Sequence, residues 1–282
     1  MNFFRAKELA EALSVLTHIE AQLTMIAGLA QTSNAPCPAI AEEHLKAVNL
    51  ALDGIFNYCS YGAVPQKIQA SLSFLKGAVL PNSSAVATEL RNIREAVDYE
   101  LGRRLFIRVS PERNHCLEQF SKESLLGPEV PTNFPSAVPD IREAGNCLAA
   151  ECNTAAVFHL MRVVEWGLRA LCADLGFSRV KSKIKKSGRV VYTPIEYSEW
   201  ERILDELQER VDRKIVRIKR GPSKQTQQQF YYPALQDIRG IRDAWRNHVM
   251  HTRDEYNHED ADAILSHVKR LMSTLATRVT EV

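Results

Sequence analysis

The chain has 282 residues, 45% of them apolar and 25% charged, with a formal net charge of +2. A chain of that length buries a large core unaided, and this composition is ordinary for a soluble globular protein and argues against disorder. The charge is uneven: residues 1–130 carry 12 basic against 14 acidic side chains, and residues 131–282 carry 24 against 20.

The N-terminus, "MNFFRAKELAEAL", scatters charges where a signal peptide needs an apolar stretch. The longest uncharged run, Ala21 to Ala41, is interrupted by polar residues and by Pro36 and Pro38, unlike a membrane span. The expectation is a cytoplasmic protein with no membrane partner. Helical patterns follow at roughly 5–31, 41–60, 64–79 and 84–108, separated by the turn-forming stretches "NAPCP", "YGAVP" and "LPNSS". Ser110 and Pro111 predict a further short helix, with proline at its first position.

Residues 125–140 contain prolines at 128, 131, 135 and 139. Proline removes the backbone donor a helix needs, so the stretch reads as a link between two helical units. The predicted division is an N-terminal helical domain, 1–130, of unknown role, and a second domain, 131–282.

Two helices come next, "DIREAGNCLAAEC" and a long one over 154–175. The second is apolar nearly all round, which places it at the centre of a bundle or in a subunit interface. "RVVYT" at 189–193 is the one strand signal. Thr193, Pro194 and Glu196 then have the spacing of a helix start, and the stripe Trp200, Leu204, Leu207, Val211, Ile215 and Ile218 runs on to Gly221 and Pro222. A further helix is predicted from about Lys224 to His251. The last begins near Asn257, with Glu259, Asp260 and Asp262 at its positive end. The predicted class is all-α: an N-terminal helical domain plus a C-terminal bundle of about five helices.

The six cysteines, at 37, 59, 116, 147, 152 and 172, form no CxxC pair and read as reduced thiols. Two basic clusters stand out, 178–189 and 210–224. Lys181, Lys183, Lys185 and Lys186 of the first, with Arg213, Lys214, Arg217 and Arg220 of the second, suggest an anionic partner, with RNA the natural candidate. The alternative is a solvated loop and an exposed helix face.

"RDAWRNHVMHTRDEY", residues 242–256, sets an arginine, an asparagine and two histidines within six positions. One reading is the polar end of a helix. A second is a metal site using His248 and His251 with Asp254, Glu255 and His258, although the order differs from HExxH. The third is acid–base chemistry by Arg246, Asn247 and His251. The arginine-to-histidine spacing alone is weak, since Arg253 and His258 repeat it. Five residues along a regular helix also turn through about 140°, so Arg246 and His251 diverge unless the helix is distorted or a second subunit completes the site.

The "RNHVMH" motif, with the helical layout of residues 140–282 and the wording "AGNCLAAECNTAAVFHLMRVVEWGLRAL", resembles the HEPN superfamily and bacterial HEPN-like proteins. The resemblance covers about the last half of the chain. It implies a metal-independent endoribonuclease without a cofactor, acting as a homodimer with the two motifs facing one another. His251 would move the proton of an RNA 2′-hydroxyl or of the leaving 5′-oxygen. Arg246 would hold the scissile phosphate and Asn247 would orient either group. Products would be a 2′,3′-cyclic phosphate and a 5′-hydroxyl.

Such proteins include toxins and antiphage effectors, which implies an antitoxin or regulatory partner. They also include catalytically inactive dimerisation or RNA-binding modules. Where some members carry a tyrosine two residues after the histidine, this chain has Arg253. Glu165, a charge in the apolar helix, is a candidate support for Arg246. Tyr231 and Tyr232 are candidate base-stacking residues, with Tyr231 also fitting the apolar stripe.

Overall fold

The computed structural model describes residues 6–58, 64–75, 81–103, 108–117, 124–184, 190–246 and 255–281. Among the described residues the chain is all-α apart from one short hairpin, and it divides into two units, 1–106 and 107–282.

The first unit contains α1 (Ala6–Thr32), α2 (Glu42–Tyr58), α3 (Val64–Leu75) and α4 (Ser83–Gly102). Buried Leu9, Leu16, Ile19 and Leu23 lie at helical spacing along α1 and pack with Leu52 and Ile55 of α2 and with Leu90, Ile93 and Val97 of α4. Asn82 caps α4, its side chain accepting from the Ala85 amide at 2.8 Å. The Ser83 hydroxyl and amide both reach the Pro38 carbonyl, tying the α1–α2 connection to the start of α4. By length and composition, Lys7–Thr32 is apolar enough to cross a membrane, a feature not read from the interrupted Ala21–Ala41 run. Within this unit α1 buries one face and leaves Met25 and Leu29 exposed, and its buried Glu20 pairs with Arg91 at 2.9 Å and Arg94 at 3.1 Å.

The second unit begins well before residue 131. A 3-10 turn over Pro111–Cys116 packs against α6 (Val138–Ala149). Arg113, 3% exposed, donates from Nη1 to Asp262 Oδ1 at 2.8 Å and from Nη2 to the His258 ring. At Gly145 a side chain would collide with the Cys116 carbonyl oxygen, so the turn lies directly on α6. The proline-rich stretch is likewise core. It forms α5 (Glu129–Asn133) and a 3-10 turn, Pro135–Ala137, and it buries Leu126, Val130, Phe134 and Ala137 completely. Prolines at the starts of these short helices cost no hydrogen bond, because the first amides have no helical partner. The predicted boundary near 130 therefore moves to 106/107.

The central element is α7 (Asn153–Asp174), packed against α6, the Pro135–Ala137 turn and α10 (His258–Ala276). Gly167 permits the close α7–α10 crossing: a Cβ there would lie 2.7 Å from Met272 Sδ. The apolar faces of α7 are thus used inside its own unit, and of its large apolar side chains Phe158 is exposed.

The hairpin pairs β1 (Arg179–Ile184) with β2 (Val190–Pro194) in antiparallel register, Lys181 opposite Tyr192. Thr193 and Pro194 end a strand, so α8 (Trp200–Arg217) starts later than predicted, with Glu199 at its N-cap position. α8 packs on β1 and on α9 (Pro222–Ile241), and α9 also packs on α10. Asn257 and Asp260 form a reciprocal capping box at the start of α10, where the acidic run predicted a helix start.

Candidate active site

The segment entering "RNHVMH" is not regular α-helix. α9 carries Pro233 in its interior, then passes at Ile241 into a π turn over Arg242–Arg246 that packs against α7. Buried Phe230, Tyr231, Ala234, Leu235, Ile238 and Ile241 fix α9 against the bundle up to that point. A π turn closes hydrogen bonds from i to i+5 rather than i to i+4. Arg246 is thus the last residue of a widened turn, and the five residues that lead from it to His251 lie outside the described residues.

Arg242, in the same turn, did not figure in the sequence reading. Its Nη2 reaches Asp243 Oδ1 at 2.7 Å, and its side chain is largely buried. The hydrogen bond it donates to Asp243, then the charges of Asp243, Glu201 and Asp205, raise its pKa above the ordinary arginine value, against burial. Its Nη1 is buried with no hydrogen-bond partner among the described residues. The signal that could have found it is the pattern Arg242–Asp243 followed by Arg246: two cations on one helix end with an acid between them.

Asn247, His251, His248 and Asp254 lie outside the described residues, and of Arg246 the backbone is described. The chain is described again from Glu255. The Tyr256 amide donates to the Thr154 hydroxyl in the first turn of α7 at 3.1 Å, and His258 meets Arg113. The motif segment is therefore held at both ends by the second unit: by the π turn before it and by Tyr256, Asn257 and His258 after it. His258 of the metal alternative is engaged with Arg113 and Asp262. Among the described residues no three His, Cys, Asp or Glu side chains gather as a metal site would require.

Glu165 is half-buried on α7 and accepts from Trp200 Nε1 at 3.2 Å, which joins α7 to the first residue of α8. Arg162 is a structural partner: its Nε donates to Asp140 Oδ1 at 2.7 Å, while His159 Nδ1 stands 3.0 Å from the same oxygen. Burial pushes the Asp140 carboxyl up, but the bonds from Arg162 and His159 outweigh it and hold the group below the usual range.

The basic residues separate into two groups. Lys181 is exposed on β1, and Arg217 and Arg220 are exposed at the end of α8, making no ion pair to a described residue. Arg213 is bonded to Glu209 at 3.1 Å. Lys214 donates to the Tyr231 hydroxyl at 2.6 Å and lies 3.8 Å from Asp174. Lys185, Lys186 and the Lys183 side chain lie outside the described residues. Lys214 therefore has a structural duty that sequence reasoning did not assign.

Tyr231 is 3% exposed and donates to Asp174 at 2.6 Å. Burial, then that bond, pushes its hydroxyl well above the ordinary tyrosine value. Tyr232 donates to Asp212 at 2.9 Å. Among the described tyrosines of the second unit, the exposed ones are instead Tyr192, 58% exposed and paired across the hairpin with Lys181, and Tyr197, 83% exposed. Strand alternation could have found the first: Val180 and Lys181 point to opposite faces, and Tyr192 shares the face of Lys181.

Comparison with family models, with curated proteins and with solved structures finds no match for this chain.

Proposed function

We propose that the protein is a metal-independent, HEPN-type endoribonuclease that cleaves RNA by attack of the 2′-hydroxyl at a site completed by a second copy of the chain, with the role of a toxin or antiphage effector. The observation that carries this reading is the π turn at Arg242–Arg246. It sets Arg246, the first residue of "RNHVMH", at the distorted end of a long helix in an all-α bundle, and in this reading the second copy of the chain supplies the histidine that a residue five positions away on a regular helix would not bring to the same face.

In this reading Arg246 binds the scissile phosphate. A guanidinium keeps its charge at all physiological pH and offers paired donors to phosphate oxygens. His251, whose side-chain type titrates near neutrality, takes the 2′-hydroxyl proton as the oxygen attacks phosphorus and returns a proton to the departing 5′-oxygen. Asn247 orients one of these groups. The exposed Lys181, Arg217 and Arg220 supply charge for the RNA backbone, and Tyr192 and Tyr197 offer faces for unpaired bases. The role of the first unit is regulation or targeting of the second.

Because α7 spends its apolar faces within its own unit, it leaves Phe158 as its exposed large apolar contribution to a dimer seam. Removing Arg246 or His251 separates the enzyme from a silent binding module of the same architecture. Pure protein, Arg246→Ala and His251→Ala are incubated with total RNA in EDTA, with oligomeric state measured in the same buffer. Cleavage by the parent and loss in both variants supports the nuclease. No cleavage by an intact dimeric parent overturns it in favour of the binding module.

A further inference from the structure

α6 ends in a hydrogen-bonding pattern that brings two cysteines together. The Cys152 amide donates to the Cys147 carbonyl at 2.9 Å and the Glu151 amide donates to Leu148 at 3.2 Å. Glu151 takes the left-handed conformation, φ 59°. These are the two bonds of a Schellman helix end, with Cys147 three residues before the cap residue Ala150 and Cys152, in the outer position, two residues beyond it. The side chains at those two positions characteristically touch, because the left-handed residue folds the chain back over the last turn.

Elsewhere the contact is apolar. At the end of α7 the same bonds, Phe177 to Cys172 at 3.0 Å and Gly176 to Ala173 at 2.9 Å, put a phenylalanine in the outer position. At the end of α6 both positions are cysteine.

We infer that Cys147 and Cys152 are an oxidative modification site, closing a reversible disulfide across the α6–α7 turn when the protein meets a peroxide. Cys152 is exposed and Cys147 is half-buried, so an oxidant reaches the first and the second stands behind it. The Cys152 Sγ already lies over the end of α6, 3.7 Å from the Ala150 carbonyl oxygen. The 2.9 Å bond from the Cys152 amide to the Cys147 carbonyl keeps the two main chains adjacent, as a disulfide, whose Cα atoms lie about 4.4–6.8 Å apart, requires. Burial, then the charge a Cys152 thiolate would carry, raises the pKa of Cys147.

The chemistry balances in two steps. Cys152 thiol and hydrogen peroxide give Cys152 sulfenic acid and water, the sulfur being oxidised and the peroxide O–O bond broken. Cys147 sulfur then attacks Cys152 sulfur, the S–O bond breaks, and the hydroxide leaves with the Cys147 proton as a second water. In a reducing compartment such a bond is transient, and a thiol reductant restores both groups.

The test uses the full-length protein and hydrogen peroxide at one equivalent. Trypsin cuts after Arg142 and Arg162, so both cysteines fall in one peptide that holds no other. The expected result is that this peptide loses two hydrogens, resists iodoacetamide, and regains both alkylation sites after dithiothreitol. In Cys147→Ser, which has no resolving thiol, Cys152 is expected to be trapped by dimedone as the sulfenic acid. The inference is overturned if the parent's peptide stays fully alkylatable, if parental Cys152 proceeds to sulfinic acid as readily as in Cys147→Ser, or if the bond formed is between chains.

Discussion

The main-chain N–H of Tyr256 donates to the Thr154 hydroxyl at 3.1 Å, fastening the chain that leaves the motif to the first turn of α7. Thr154→Val keeps the side-chain shape and removes the acceptor. The bond is solvent-exposed, so the loss of stability is expected to be small, about 0.5–1 kcal/mol in urea unfolding. The effect on RNA cleavage should be larger than that on stability, a fall of several-fold, with Thr154→Ser restoring it. Equal activity in Thr154→Val would mean that this tie does not position the motif.

Asp140 is the buried hub of α6 and α7, bonded to Arg162 and His159. Its folded-state pKa is depressed, so it contributes stability above the ordinary aspartate value, about 3.9, and that contribution is lost as pH falls through the lower folded value. Asp140→Asn is expected to cost roughly 1–3 kcal/mol near neutral pH, where charged hydrogen bonds are forfeited, and progressively less in acid. Denaturant unfolding of both proteins from neutral pH to below pH 4 measures the convergence.

Arg113 lies outside the predicted second domain yet is buried against α10, which begins with His258. A fragment starting at residue 107 is expected to unfold cooperatively. One starting at 131 lacks Arg113, Cys116, Leu117, Leu126 and Val130, all buried, and is expected to lose fixed tertiary structure. Within the whole chain, Arg113→Met removes the ties to Asp262 and His258 at a cost of about 2 kcal/mol, read by chemical denaturation.

Tyr192, opposite Lys181 in the hairpin, and Tyr197 present exposed rings, and stacking of an unpaired base on such a ring is worth about 1–3 kcal/mol. Tyr192→Ala is expected to weaken binding of a single-stranded RNA oligonucleotide by the His251→Ala protein at least fivefold by fluorescence anisotropy. Tyr232→Ala, whose hydroxyl is already bonded to Asp212, should leave RNA affinity unchanged.

The all-α class and most helices of this chain were legible because apolar residues recur at helical spacing: α1, α4 and α10 begin within a residue or so of where the pattern puts them. The first strand was missed because "RVKSKI" alternates lysine with small or apolar residues and reads as a basic loop until its partner "VVYTP" lies beside it. The prolines of 128–139 misled for a physical reason: each occupies a position that needs no amide donor, so they start short helices instead of breaking a long one. Of the site, the motif itself could be read from its residues. The π turn could not, because its winding depends on how α9 packs, and nor could the pairing of Lys214 with Tyr231 and Asp174, which joins three separate helices.

The central claim is attack by a ribose 2′-hydroxyl without a metal, and substrate chemistry tests it most directly. An RNA oligonucleotide that the protein cuts in EDTA is compared with the DNA oligonucleotide of the same sequence, and the new RNA ends are analysed by mass. The account predicts cleavage of the RNA alone, leaving a 2′,3′-cyclic phosphate and a 5′-hydroxyl. Cleavage of the DNA at a comparable rate, or RNA products ending in 5′-phosphate, would contradict it.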